Sequence, residues 1–247
     1  MFNFIKDYDA TYTKSIDQGF RNYMLSIYRY LSMALVVTAL STFAVVSVPM
    51  LTQIFFQVNG YGNPIGMTVF GNIFMFVPIG ISLYFFTNVG SMSLDRAKVM
   101  LWVYASAMGI TLSYVSFKYT GQSIIKVAAI TAAAFAGISI YGYTTKTDIS
   151  TSYGSLLITG LIGILIASLI NMFLRSSALE FALSAVSVVV FMGLIAWDTQ
   201  KIRDFYFSAN SKSFAGRYAI VAAFSLYINI INLFVRLLYL FGDRRNN

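Results

Sequence analysis

The 247-residue sequence contains no cysteine and no histidine. The missing cysteine excludes disulfides, thiolate nucleophiles and sulfur-ligated metal sites. The missing histidine removes the commonest metal ligand and the commonest general base. We therefore expect a protein that is not an enzyme and that holds no cofactor and no metal site.

Charged residues are also scarce. They make up 11% of the chain, whereas 58% of the residues are hydrophobic and the mean hydropathy is +0.72, which is typical of membrane proteins and not of soluble domains. The net charge is +8, but the cations are spread singly through the loops. We expect these cations to contact anionic membrane lipids, and we expect no nucleic acid partner.

The hydrophobic residues are grouped into runs long enough to cross a bilayer, which takes about 20 apolar residues per helix. The fold class predicted is an all-α integral membrane protein, a bundle of seven transmembrane helices. The predicted helices cover approximately residues 25–50, 69–88, 99–118, 124–143, 155–174, 180–200 and 218–241.

Three regions follow from this pattern: a polar N-terminal cytoplasmic segment (1–24), a membrane domain (25–242) and a short basic tail (243–247). A cytoplasmic N-terminus places eleven of the 17 lysines and arginines inside and six outside, as the positive-inside rule favours. Seven crossings then put the C-terminus outside. The two arginines of the tail resist translocation, so a C-terminal segment that re-enters the membrane is the alternative.

Small residues in the fourth and fifth segments predict close contacts between helices, because small side chains let membrane helices approach each other. These residues are Ala132, Ala136, Gly137, Ser139, Gly160, Gly163 and Ala167.

Three ionisable residues fall within or at the edge of the apolar segments, where a charge costs roughly 2.5–3.5 kcal/mol. Glu180 begins the sixth segment, and we expect it to cap that helix. Arg236 lies near the end of the seventh segment and could snorkel towards the headgroups. Asp198 follows Trp197 at the end of the sixth segment and has no such simple explanation.

Helical spacing places further polar residues in line with these charges. Asp198 shares a helix face with Ser187 and Ser184. The seventh segment carries a polar stripe, which cannot face lipid. The stripe consists of Ser225, Asn229, Asn232 and Arg236.

Two interpretations of these residues remain open. Either the stripe only makes hydrogen bonds between helices, or it lines a polar pathway with Asp198 at its cytoplasmic mouth. Asp198 itself could instead be an interfacial carboxylate paired with Lys201 or Arg203.

Four motifs occur in this order along the chain: "AAFAGISIYGYTTKTDIS", "LITGLIGILIASLINMFL", "AWDTQKIRDFY" and "LYINIINLFVRLLYLFG". Together they make the chain similar to the Bax inhibitor-1 family, also called the transmembrane Bax inhibitor motif family, in its bacterial branch. The likeness extends from about Leu25 to Gly242. The resemblance implies a seven-helix bundle whose last helix is central, a pH-sensitive calcium leak, and roles in calcium homeostasis and in restraining cell death or stress responses. Some bacterial relatives interact with membrane-bound proteases.

The resemblance also implies a pH sensor made of two aspartates that share a proton. Asp198 matches the first aspartate, but Asn229 in "LYIN" stands where the family pattern has the second. An amide never titrates, and its NH₂ favours ionised Asp198 while desolvation opposes it. We therefore expect a weaker pH response near neutrality. Arg236 stands where the family more often has a small residue, and on a conduction path its charge would repel a divalent cation.

The sequence thus supports two functional hypotheses. The first is a membrane ion-leak protein, permeable to calcium ions, with pH gating altered by Asn229. Its pore or pH-sensor candidates are Asp198, Asn229, Asn232, Arg236 and Ser225. The second is a non-conducting regulator of stress or cell death that binds a membrane protease or another membrane protein. In both, we expect a bacterial inner (plasma) membrane and a cytoplasmic N-terminus.

Overall fold

The structure is a computed structural model that describes the backbone of residues 2–60, 64–208 and 212–245, and the side chains of these residues except 2–17 and 212–215. This part of the chain forms helices and one β-hairpin. The elements are α1 (Phe2–Ser47), α2 (Pro49–Phe55), β1 (Phe56–Val58), β2 (Pro64–Met67), α3 (Val69–Phe74), α4 (Val77–Asn88), α5 (Leu94–Lys118), α6 (Gly121–Thr144), α7 (Ile149–Leu174), α8 (Ser177–Ser208) and α9 (Lys212–Phe241).

The described residues contain seven helical stretches that are long and apolar enough to span a membrane, which confirms the predicted seven-helix bundle. The last of them is the most enclosed. In its most apolar window 61% of the residues are buried, compared with 17–39% in the other six. Helix α9 packs against α1, α5, α6 and α8. The last helix is therefore central, as the resemblance implied.

The predicted second span is interrupted. Helix α3 ends at Phe74 and α4 begins at Val77, with Pro78 in the first turn of α4. A proline has no N–H to donate and clashes with the preceding turn, so a helix cannot run through it undisturbed. The segment between the first and second predicted helices contains α2 and the antiparallel pair of β1 and β2.

Helix starts are set by capping residues that hydropathy alone does not reveal. Ser93, Thr120 and Asp148 each accept a hydrogen bond from the main-chain N–H three residues later. Helices α5 and α7 consequently begin at Leu94 and Ile149, before the apolar runs do. Helix α8 also continues to Ser208, so Asp198 lies within a helix and not at its end.

The C-terminal tail pairs with the connection between α5 and α6. The main-chain N–H of Thr120 donates to Asp243, and that of Arg245 donates to Lys118, both at 3.0 Å. Helix α9 is continuous from Lys212 to Phe241 and long enough to cross a bilayer once, without the break that a re-entrant segment needs. The beginning of α1 and the tail therefore lie on opposite sides of the bundle.

The predicted close contact is confirmed at Gly160, where an added Cβ would lie 3.1 Å from Val190 in α8, and closer contacts occur at two glycines that were not predicted. A methyl group on Gly109 would overlap the carbonyl oxygen of Thr38 in α1, and one on Gly142 would overlap that of Ala196 in α8. By contrast, no heavy atom of another helix lies within 4 Å of the Cβ position of Gly137 or Gly163.

The predicted packing role is wrong for several of the small residues. Besides Gly137 and Gly163, Ala132 and Ala136 do not pack between helices, because they are exposed on the outer surface of α6. Ser139 is buried as expected. These positions were predicted from composition, but which face of a helix meets its neighbour is decided by the tertiary arrangement.

Candidate functional site

Asp198 lies at the interface of α8 with the central helix. Its Oδ2 atom accepts a 2.6 Å hydrogen bond from the Ser225 hydroxyl and a 2.8 Å hydrogen bond from the Asn229 amide nitrogen. Ser225 and Asn229 are four residues apart on α9 and therefore share the face that meets α8. The Oδ1 atom of Asp198 accepts no hydrogen bond from any group that the structure describes.

Neither predicted cationic partner forms an ion pair with Asp198. The Lys201 ammonium lies 3.4 Å from the ring centroid of Trp197, in a cation–π contact. Arg203 binds Asp204 at 3.0 Å and the Tyr143 carbonyl at 2.7 Å. Within the described ranges no Lys or Arg nitrogen comes within 4.0 Å of the Asp198 carboxylate. The salt-bridge interpretation of Asp198 is therefore wrong.

A cavity of about 200 Å³ adjoins the Asp198 carboxylate between α4, α8 and α9. It lies towards the end of the bundle where α4 finishes and α9 begins, the same end as the start of α1. The cavity can hold water or a small cation beside the carboxylate. Its lining consists of Phe86, Asp198, Lys201, Ile202, Tyr218, Val221, Ala222 and Ser225.

Polar groups continue from Asp198 towards the opposite end of the bundle. Ser184 and Ser187 are completely buried, and their hydroxyls have no hydrogen-bond partner in the described structure. Asn232 lies one turn beyond Asn229 and donates to the main-chain carbonyl of Ile228 at 2.9 Å, not to Asp198. The structure thus separates Asn232 from the Asp198 group.

Arg236 also lies away from Asp198, in a second polar cluster. Its guanidinium forms a 2.9 Å ion pair with Glu180 and approaches the Ser168 hydroxyl at 3.5 Å. Asn171 donates to the other Glu180 oxygen at 2.9 Å. Glu180 is about 18 residues from Asp198 on α8, which corresponds to about 27 Å of helix. This separation is close to the thickness of a hydrocarbon core, which is about 30 Å.

The second cluster corrects two expectations. Glu180 does not act as the side-chain cap of α8, because the Ser176 hydroxyl accepts the hydrogen bond from the main-chain N–H of Leu179 at 3.3 Å. Arg236 does not simply snorkel, since a carboxylate faces it. Its charge is largely compensated by Glu180, which weakens the predicted repulsion of a divalent cation.

Two further residues of the "AWDTQKIRDFY" motif hold α8 in place, and sequence reasoning missed their role. Gln200 accepts a hydrogen bond from the main-chain N–H of Ile149 and donates to the Thr147 carbonyl, both at 2.8 Å. Arg203 binds the end of α6 through Tyr143. The sign of this role that the sequence offered was the position of both residues close to Asp198 in the same motif. They fix the rotation of α8 and so direct Asp198 towards α9.

Comparisons with known proteins agree with this architecture. The protein-family model described as "Inhibitor of apoptosis-promoting Bax1" matches residues 20–246. The uncharacterized protein RP147 of Rickettsia prowazekii is 44% identical over 97% of this chain and 99% of its own length. An uncharacterized protein of Caulobacter vibrioides is 38% identical, with coverages of 94% and 92%. The inner membrane protein YbhL of Escherichia coli K12 is 31% identical, with coverages of 92% and 94%. The chain is therefore an integral membrane protein and belongs to the Bax inhibitor-1 family.

Proposed function

We propose that this protein is a calcium-permeable ion leak of the bacterial inner membrane in which Asp198 attracts and gates the cation. The observation that carries this proposal is the state of the Asp198 carboxylate. Two neutral donors hold one of its oxygens, no described Lys or Arg nitrogen lies within 4.0 Å of it, and it adjoins a cavity that Lys201 also lines. A carboxylate in this arrangement offers a negative charge to a cation that enters from the end of the bundle.

The remaining polar groups favour the passage of a calcium ion over its tight binding. Calcium in high-affinity sites has six to eight oxygen ligands, several of them carboxylates. The described residues contain no cluster of three or more acidic or other metal-binding side chains. Beyond Asp198, the groups on the same side of α8 and α9 include the hydroxyls of Ser184 and Ser187. Weak successive sites let an ion enter and also leave, as conduction requires.

The proposed pH gating is weak because Asn229 replaces a titrating partner. An amide NH₂ donates to a carboxylate at any pH near neutrality, so the Asp198–Asn229 hydrogen bond does not depend on a shared proton. We propose that the path responds to pH only through Asp198 itself, and therefore less steeply than a pair of carboxylates would.

Calcium flux into proteoliposomes tests this proposal. Asp198→Asn preserves the size of the side chain and removes its charge, and we expect flux to fall by about tenfold or more. A tenfold change corresponds to roughly 1.4 kcal/mol, whereas two unit charges 4 Å apart interact with about 4 kcal/mol at an effective dielectric of 20. The matched control is Asp95→Asn, which removes an exposed carboxylate from the same end of the bundle. Equal flux in wild type and Asp198→Asn would refute the role of Asp198.

A second candidate function is a non-conducting regulator that binds a membrane protein, such as a membrane protease. The observation that favours it is the neutral residue Asn229 at the position of a sensor aspartate. Photo-crosslinking and pull-down from native membranes would identify such a partner. A purified chain that carries calcium current on its own would contradict binding as the only role. In either case, we propose a protein without enzymatic activity.

The proposed orientation places the start of α1 in the cytoplasm. Because the chain has no cysteine, single cysteines can be labelled without background. We expect Ser177→Cys to react with a membrane-impermeant maleimide in spheroplasts, and Ser91→Cys to react only after permeabilisation. The opposite pattern would show the inverted orientation.

A further inference from the structure

The outer helices leave an open seam between α1 and α6. Both helices pack against the central helix α9, but they make few contacts with each other. Two cavities of about 650 and 480 Å³ lie in this seam, one nearer the beginning of α1 and the other nearer its end. Both volumes fall within the range of roughly 300–1,000 Å³ that is usual for small-molecule sites.

Small residues of α6 keep the seam open. Ala128, Ala132 and Ala136 follow each other at intervals of four residues, and all three are exposed along the seam. Such a row usually marks a contact between membrane helices, but no other helix of the described structure covers it. The row therefore forms a shallow apolar groove that opens directly to the bilayer.

The larger cavity also contains polar groups, and these indicate the kind of occupant. The Ser139 side chain lines the cavity and is only 6% exposed, and its hydroxyl interacts with the hydroxyl of Tyr28, which lines the same cavity. The exposed Arg21 lies at the same cavity and forms no ion pair with a described side chain.

Aromatic rings surround this end of the groove. Phe20 stacks on Tyr143 with ring centroids 5.7 Å apart, and Tyr28 also lines the cavity. Aromatic side chains with a nearby arginine are typical of the depth at which lipid headgroups lie. The cavity thus combines an apolar groove at membrane depth with a cation at headgroup depth.

We propose that the groove formed by Arg21, Tyr28, Ala136 and Ser139 binds one anionic phospholipid of the adjoining leaflet. An acyl chain lies along Ala136, and the negatively charged phosphate group contacts Arg21. This site is separate from Asp198 and does not depend on the proposed ion leak.

A phospholipid fits the groove better than a helix of a partner protein. The bilayer supplies acyl chains to any groove that opens into it, whereas a partner helix would have to place an acidic residue beside Arg21. Basic pockets between transmembrane helices are known to bind anionic headgroups. The excess of positive charge in the chain agrees with this choice.

Native mass spectrometry of the full chain, released from membranes with equal amounts of phosphatidylglycerol and phosphatidylethanolamine, tests the proposal. We expect wild type to retain one phosphatidylglycerol. Arg21→Gln should reduce this retention by about fivefold, the effect of about one cation at an anionic surface. Ala136→Leu should reduce it by filling the groove without a change of charge.

Two matched variants control for general effects. Lys98→Gln removes a cation from the same end of the bundle, and Ala133→Leu enlarges an exposed residue of α6 that does not line the cavity. Both should retain the lipid as wild type does. The proposal would be overturned if wild type retained the two lipids equally. It would also be overturned if the control variants lost as much phosphatidylglycerol as Arg21→Gln and Ala136→Leu do. A protein retained in place of the lipid would also overturn it.

Discussion

Asn229 donates a 2.8 Å hydrogen bond to the carboxylate of Asp198 across the interface between α8 and the central helix. The same carboxylate oxygen accepts a 2.6 Å hydrogen bond from Ser225. An amide and a hydroxyl can hold an ionised carboxylate in place without a charge of their own. The arrangement therefore holds the carboxylate of Asp198 through neutral donors, without the shared proton that a second aspartate would bring.

The contact between α6 and α8 at Gly142 should be essential for stability. Gly142→Ala would place a methyl group against the carbonyl oxygen of Ala196, two residues before Asp198. Because the helices would have to move apart, we expect a loss of about 1–3 kcal/mol in the free energy of unfolding and a lower Tm in detergent.

Gly137→Ala on the same helix is the matched control for Gly142→Ala. No heavy atom of another helix lies within 4 Å of its Cβ position. This variant should be neutral or gain up to about 1 kcal/mol from the better helix propensity of alanine. A similar decrease in Tm for both variants would show that the close approach at Gly142 does not control stability.

The ion pair of Glu180 and Arg236 should connect α8 to α9 at the end opposite Asp198. Its side chains are 31% and 20% exposed, so water only partly screens the pair. Removal of one partner leaves the other charge poorly compensated, and we expect Glu180→Gln to lower the free energy of unfolding by about 1–2 kcal/mol.

A double-mutant cycle isolates the energy of this pair. Glu180→Gln with Arg236→Gln should destabilise the protein by less than the sum of the two single variants. Strictly additive effects would contradict the ion pair.

The hydroxyl of Thr38 should help to hold three helices together. It lies 2.6 Å from the hydroxyl of Tyr227 in α9 and 3.1 Å from the carbonyl of Ala105 in α5. Thr38→Val keeps the shape but leaves the buried Tyr227 hydroxyl without this partner, which should cost about 1–3 kcal/mol. Thr87→Val, which removes only local bonds on an exposed part of α4, should change Tm little. A larger decrease in Tm for Thr87→Val than for Thr38→Val would contradict this role of Thr38.

The side-chain cap at the start of α7 should make part of the protein's folding stability depend on pH. The Thr151 hydroxyl and main-chain N–H donate to Asp148 and lower the pKa of its carboxyl below 3.8. Because the pKa is lower in the folded state, the stabilisation is complete above the unfolded-state pKa and is lost as the pH falls through the folded-state pKa. Asp148→Asn keeps a capping side chain but cannot titrate. On acidification below about pH 4, its Tm should fall less than that of wild type.

Much of the fold follows from the sequence because bilayer physics restricts it. Apolar runs of about 20 residues predict the helices, and helical spacing predicted that Ser225 and Asn229 share a face with a buried partner. The break at Pro78 and the cap at Ser93 were missed because hydropathy reports burial in lipid and not the local hydrogen bonding of the main chain.

The site was predictable only in part. The residues of the polar stripe do lie along one side of α9 as predicted. However, they do not act together, because some contact Asp198 and Arg236 belongs to the second cluster. Asn229 turns to Asp198, whereas the long side chain of Arg236 reaches Glu180. Which partner a polar residue meets depends on the crossing of α7, α8 and α9, and Asn171 enters the second cluster only through that crossing. Helical periodicity contains no such information.

The most direct test compares the pH dependence of calcium flux in wild type and Asn229→Asp between about pH 6 and pH 8. Two adjacent carboxylates cannot both ionise easily, so the variant should take up a shared proton in this range and its flux should change severalfold. Asn232→Asp, one turn away and not bonded to Asp198, is the matched control. We expect a nearly flat profile for wild type and a steep one for Asn229→Asp alone. A wild-type profile as steep as that of Asn229→Asp, or identical profiles for both aspartate variants, would contradict this expectation.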